Sequence, residues 1–219
     1  MRPNRWVADV FPNPLVMPDQ NYWLGFLICD GYIQGQDGAS KALFLELQER
    51  DAATVEEYAE FVKANVRVDR GRARCGKACT KELELLATHG ITQRKTGKES
   101  WPSSVTHPYA FIRGILDGDG TVGCYNNRVL SFSFVSSMPS WSFLESIGQH
   151  LQEALGFNYR VLQFQDNACR LIYSLGYERA KKLYEYLYQG SSESRMYRRR
   201  TCFWTFFLGT SPRWVGLLN

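Results

Sequence analysis

Two aspartates at matched positions carry the chemistry this sequence suggests. Asp30 is the penultimate residue of Tyr22-Trp-Leu-Gly-Phe-Leu-Ile-Cys-Asp-Gly, and Asp119 is the penultimate residue of Phe111-Ile-Arg-Gly-Ile-Leu-Asp-Gly-Asp-Gly. Gly25, Asp30 and Gly31 match Gly114, Asp119 and Gly120 at one fixed offset of 89. Each run reads as an apolar helix ending at Asp-Gly, where glycine suits the left-handed residue that closes many helices. Glycine inside an exposed helix costs about 1 kcal/mol against alanine. Gly25 and Gly114 therefore make sense where two helices meet backbone to backbone, as a helix interface. Helix C-termini carry partial negative charge and unpaired carbonyls. Two carboxylates gathered there repel unless a cation lies between them, and oxygen ligands of high negative charge select a hard divalent ion such as Mg²⁺. A metal so held beside a basic surface can assist phosphodiester hydrolysis.

A calcium loop is the competing reading of Asp117-Gly-Asp-Gly-Thr121, and it fails on register. Its sixth position, which needs glycine for the turn, is Val122, and its twelfth, which needs a bidentate Glu, is Arg128. Two core helices with capping residues would explain one motif. They do not explain two in register with the same pattern downstream.

That downstream pattern supplies the elements that must position the aspartates. Alternating strands follow each motif, with Leu43, Leu45 and Leu47 in the first copy and Leu130, Phe132 and Phe134 in the second. Amphipathic helices come next, around 53–64 and 140–154, carrying Val55, Tyr58, Phe61 and Val62, then Phe143, Leu144, Ile147 and Leu151. A second strand pair is clearest at 159–165 and 168–174. Shorter helices near 80–88 and 177–188 each lead into a basic segment. The whole reads as an α+β chain of two pseudo-symmetric αββαββα repeats, the first over 1–100, a Pro- and Ser-containing linker over 101–108, and the second over 109–219.

Composition narrows the function classes. The 219 residues include 13 Phe, 12 Tyr and 6 Trp, too many aromatic side chains for a disordered chain. The longest apolar run, Trp23–Cys29, is far short of the roughly 20 residues a membrane helix needs. No signal-peptide pattern follows the N-terminus, so the protein is expected inside the cell, not secreted. Six scattered cysteines are expected to be reduced core residues, and the close pair Cys75 and Cys79 lacks the further ligands of a zinc site. The net charge of +4 says little, but nine Lys or Arg against three acids lie between Arg67 and Lys98, and Arg179, Lys181, Lys182, Arg195 and Arg198–Arg200 form a second cluster. Two basic clusters far apart in sequence suit a polyanion held along an extended surface.

The two motifs resemble the paired signature dodecapeptides of monomeric LAGLIDADG homing endonucleases. Phe111–Val122 is the closer match, and the first copy has Ile28 and Cys29 where an acid and a small residue are common. The resemblance spans about residues 20–208. It implies two antiparallel four-stranded sheets forming a DNA-binding saddle, with the two signature helices packed between them. It further implies a metal site of Asp30 and Asp119, with the adjoining Cys29 and Gly118, holding Mg²⁺. Mn²⁺ is expected to substitute, and Ca²⁺ to support binding without cleavage. A Lys or Arg near each scissile phosphate falls to Lys95 and Arg200, with Lys98 and Arg199 beside them. Arginine cannot serve as a general base, so Arg200 would stabilise charge only.

Base reading is implied for the outward sheet faces. Strand alternation turns Glu46, Gln48 and Arg50 away from the leucines, and Arg70, Arg72 and Arg74 away from the residues between them. Ser131 and Ser133 oppose Phe132, and Gln163 and Gln165 oppose Leu162 and Phe164, with Arg170 on the glutamines' face. Tyr32 and Gln34, just after the first motif, complete the DNA-binding set. Three functions fit: a Mg²⁺-dependent endonuclease acting as a monomer on a long, nearly asymmetric duplex site, an RNA maturase acting on intron RNA, or a DNA binder without catalysis. Retention of both acids argues against the last. The short flanks are expected to leave no room for intein splicing blocks.

Overall fold

The computed structural model describes residues 6–35, 40–125, 129–189, 202–203 and 206–207. The chain forms two compact units, Met1–Gly118 and Asp119–Asn219.

The first unit opens with a short helix, α1 (Trp6–Val10), followed by the first motif helix, α2 (Pro18–Asp30). Strands β1 (Gly31–Gln34) and β2 (Ala42–Gln48), helix α3 (Ala52–Val62), strands β3 (Val66–Asp69) and β4 (Arg72–Ala78), and helix α4 (Leu83–Thr88) follow. The strands form one antiparallel sheet in the order β1-β2-β4-β3. Leu43, Leu45, Ala73 and Cys75 are buried on one of its faces, and Val55, Tyr58, Ala59 and Val62 of α3 are buried in the same unit. Burial pushes the Cys75 and Cys79 thiols up to about 11, as inert core cysteines require. The second motif helix, α5 (Pro108–Asp119), lies in this unit up to Gly118. Residues 101–107 are bonded into the unit ahead of it. Leu15 donates its backbone N–H to Ser104 O at 3.0 Å, and His89 Nδ1 lies 2.8 Å from the Ser104 hydroxyl.

The second unit repeats the plan with β5 (Thr121–Tyr125), β6 (Val129–Ser137), α6 (Trp141–Leu155), β7 (Val161–Gln163), β8 (Ala168–Leu175) and α7 (Tyr177–Tyr188). Its sheet order is β5-β6-β8-β7, again antiparallel throughout. Leu130, Phe132 and Phe134 are buried with Phe143, Leu144, Ile147 and Leu151 of α6. This is the α+β, two-sheet architecture that the repeat implied.

Two local features differ from expectation. Gly31 is not left-handed: its φ of −74° and ψ of 150° are extended, and it already begins β1. Glycine is needed there because a Cβ would fall 2.7 Å from the Leu27 carbonyl oxygen. Helix α1 was not anticipated, since five residues show no periodicity. Tertiary partners hold it: Trp6 Nε1 donates to Ala78 O at 2.6 Å, and Glu82 Oε1 accepts the N–H groups of Val7 and Ala8 at 2.9 and 3.3 Å.

Candidate nucleic-acid interface and acidic helix ends

The two motif helices meet through their glycines. A Cβ on Gly25 would overlap the Phe111 carbonyl oxygen, and one on Gly114 would overlap that of Tyr22. Any side chain at either position would push the helices apart. Their N-terminal ends are tied as well, because Asn21 Oδ1 accepts the N–H groups of Thr106 and His107 at 3.0 and 3.2 Å.

Inside this contact lie charges that the motif comparison passed over. Arg113 and Asp117, one turn apart on α5, are 2% and 0% exposed. Tyr22 Oη donates to Asp117 Oδ2 at 3.0 Å, and the Arg113 guanidinium lies 4.7 Å from the Tyr22 ring centroid. The corresponding residue in α2 is Ile28. A buried carboxylate needs such company. The signal in the sequence was the i, i+4 spacing of Arg113 and Asp117 within an otherwise apolar run.

At the helix ends, Asp30 is half-buried and Asp119 exposed. Gly118 lies against the end of α2, where a Cβ would sit 2.6 Å from Cys29 Cβ and 3.3 Å from Asp30 Oδ2. Glycine at 118 therefore permits an approach to Cys29 and Asp30 that a side chain would block. Lys95 Nζ donates to the carbonyls of Leu27 and Cys29 at 2.7 and 2.8 Å, placing an ammonium on the negative end of α2. That draws Lys95 to the helix bearing Asp30, and it engages the carbonyl of Cys29, one of the residues counted with the metal. Lys98 is exposed, three residues further along the same turn. Arg199 and Arg200 lie outside the described residues. No group of three or more His, Cys, Asp or Glu converges among the described residues.

The first sheet collects most of the other candidates on one face. Cross-strand pairs place Glu46 opposite Arg74 and Gln48 opposite Arg72, with Arg67 and Asp69 across the next ladder. Tyr32 and Gln34 extend the face on β1. Glu46 anchors it: Arg72 Nη1 lies 2.9 Å from Oε1, Arg74 Nε 3.6 Å from Oε2, and Tyr32 Oη donates to Oε2 at 3.0 Å. Partial burial, then the bond to Glu46, raises the Tyr32 phenol above its usual range. The Arg74 guanidinium rests 3.7 Å from the Phe44 ring centroid and also donates to Gln34 Oε1. Glu46, Arg67, Asp69, Arg70, Arg72 and Arg74 line a concavity of about 320 Å³. Arg67 belongs to this face, although only its charge had marked it.

Several candidates sit elsewhere than alternation implied. Arg50 is beyond β2, in a short helical turn beside Asp51 at 3.8 Å. Arg70 is in the β3–β4 hairpin turn, where it and Gly71 take φ of 51° and 75°, the paired positive values of a type I′ turn. Ser131 and Ser133 do lie on the face away from Phe132, but they are 9% and 2% exposed. Arg170 Nη2 donates to Ser133 Oγ at 3.2 Å. The expectation for β7 is reversed. Leu162 pairs with Arg170, whereas Gln163 pairs with buried Cys169. Arg170 thus shares its face with Leu162, and its guanidinium lies 5.3 Å from the Phe164 ring. Gln165 has a φ of 64° in the turn that follows. Polarity misled here, because an edge strand leaves glutamine exposed on either face.

No protein-family profile matches the sequence, and no curated protein matches it. Solved structures do. A LAGLIDADG homing endonuclease, I-GzeII, in complex with its DNA target is similar at 11% identity and a TM-score of 0.60, over 94% of both chains. The LAGLIDADG meganuclease I-AabMI bound to uncleaved DNA is 12% identical with a TM-score of 0.58, over 89% of this chain and 91% of that one. The I-SmaMI LAGLIDADG homing endonuclease bound to cleaved DNA is 10% identical with a TM-score of 0.57, over 90% and 91%. The chain has the fold of the LAGLIDADG homing endonucleases. Among its described residues, no helix is long and apolar enough to cross a membrane.

Proposed function

We propose that the protein is a site-specific DNA endonuclease that binds a long, nearly asymmetric duplex as a monomer and cuts both strands by Mg²⁺-dependent hydrolysis. The observation that carries this reading is the glycine-to-backbone contact of α2 and α5, two helices that end in Asp30 and Asp119. The fold shared with DNA-bound endonucleases and the Arg-rich face of the first sheet support it.

The donor set fits Mg²⁺, which takes one or two carboxylates and fills its shell with water and substrate phosphate. Asp30 and Asp119 would hold it, and glycine at 118 permits a close approach to the Asp30 end of α2 that a side chain would block. When bound, the ion supplies a Lewis acid and lowers the pKa of a coordinated water. Lys95, held on the carbonyls of α2, would supply positive charge to a phosphodiester that gains negative charge during attack. Arg72 and Arg74 position the duplex and read base edges.

Incubating purified protein with a randomised duplex library and Mg²⁺ tests the reading. Discrete cuts on both strands are expected, lost in Asp30→Asn and Asp119→Asn with binding retained. Specific binding in Ca²⁺ without cuts in Mg²⁺ or Mn²⁺ would sink catalysis.

A further inference from the structure

The ladders allow the two outward faces to be matched position by position, starting from the motif glycines. Glu46 corresponds to Val135, Phe44 to Ser133, Arg74 to Arg170, Arg67 to Leu162, and Arg72 to Ala168. One arginine keeps its place, and the charged residues around it become apolar. Building on the DNA-binding reading above, we propose that the two halves of the target differ in base composition. The first sheet takes a G·C-rich half-site, and the second takes an A·T-rich half-site recognised through thymine methyl groups.

On the first sheet, Arg72 and Arg74 are held at Glu46, and Arg74 is also stacked on Phe44. A guanidinium fork fixed in advance loses little freedom on binding. Such forks bond guanine O6 and N7 in pairs, and Glu accepts from the cytosine amino group. The ion pairs are partly exposed, with the Arg72 side chain 65% accessible. Exchanging one for a base edge therefore gives up little.

The second face offers different chemistry. Tyr125, Val129, Val135, Leu162 and Phe164 expose between 37% and 63% of their surface. Tyr125 pairs with Val129, and Val135 pairs with Arg170, which pairs in turn with Leu162. Arg170 is the one charged side chain among the described strand residues of this face, and it is engaged by Ser133 and Phe164. These residues form two apolar groups on the one face, Tyr125 with Val129 at one end of β6 and Val135 with Leu162 and Phe164 toward the other, with Ser131 and Ser133 between them. In the major groove, the apolar feature a sheet can meet is the thymine 5-methyl group, and serine hydroxyls accept either donor or acceptor edges. Because Arg170 occupies the place of Arg74, the face continues the same groove-reading position in the repeat.

The test enriches a randomised duplex library on the full chain in Ca²⁺ and sequences the bound fraction. The selected site should have one G·C-rich and one A·T-rich half. Arg72→Ala should relax positions only in the first, and Leu162→Ser or Val135→Ser only in the second. These are exposed residues, so each variant can be checked for native stability. Replacing thymine by uracil in the A·T half should weaken binding about fourfold per contacted methyl, the worth of one buried CH₂. The same replacement in the other half should leave binding unchanged. A specific site with halves of equal composition, or one indifferent to Leu162→Ser and to uracil, overturns the inference while DNA binding stands. A library from which nothing is enriched overturns the DNA-binding reading, and the inference with it.

Discussion

The two sheets are built alike and faced differently. Both run in the same strand order with the same antiparallel ladders, and both bury an alternating apolar set beside a long amphipathic helix. On the outward side, the first sheet carries Arg67, Arg72, Arg74, Glu46 and Asp69, with Arg72 and Arg74 paired to Glu46, and the described strand residues of the second carry valine, leucine, serine and one arginine. The buried faces answer to packing, which tolerates only volume-matched apolar residues. The outward faces answer to whatever they touch. A repeat that keeps its core pattern while changing its outer chemistry is expected of a protein whose two halves meet different surfaces.

The largest effect expected belongs to what the halves share. Asp30→Asn and Asp119→Asn should each lower double-strand cleavage by about a thousandfold or more while binding in Ca²⁺ survives. If one variant still nicks a single strand, the cut strand shows which half that aspartate serves, and the comparison sharpens. The next effect is on stability. Gly25→Ala and Gly114→Ala should each cost about 3 kcal/mol, lowering the Tm by roughly 10 °C, because the added methyl meets a carbonyl that cannot retreat. Normal melting in either variant would mean that the helices can separate there.

A smaller effect divides the sheets directly. Arg72→Ala should reduce the slope of log binding constant against log salt by about one, whereas Leu162→Ser should leave the slope unchanged. Equal slopes in the two variants would break the comparison. The smallest effect is on pH dependence. Burial lowers the pKa of His89 in the first half and of His150 in the second. Each therefore holds its proton less tightly in the folded chain, and the unfolded chain takes up that proton first. Stability should be complete above pH 6.5 and decline as the pH falls below it toward the folded values. Thermal melts across that window should show the decline, and it should shrink in His89→Gln.

Much of the fold was legible because it repeats. A fixed offset between Gly25-Asp30-Gly31 and Gly114-Asp119-Gly120 set the register, and strand and helix periods did the rest. Where the reading went astray, the controlling contact was not local. Helix α1 exists because Ala78 and Glu82 hold it, more than 70 residues away. Arg50 and Arg70 look like strand residues by spacing, but turns take them out of the ladder. On β7, alternation of polarity points Gln163 outward, but Gln163 pairs with buried Cys169 and Leu162 takes the place beside Arg170. The Arg113–Asp117–Tyr22 cluster was hidden because a motif comparison weighs matched positions, and Asp117 stands where the first copy has Ile28.

Cleavage by the wild-type protein tests the central claim most directly. Its bound duplex site, recovered in Ca²⁺ and then given Mg²⁺, should yield staggered cuts on both strands at one position, with the ends read by sequencing. A duplex that stays intact under Mg²⁺ and Mn²⁺ while remaining specifically bound would contradict it.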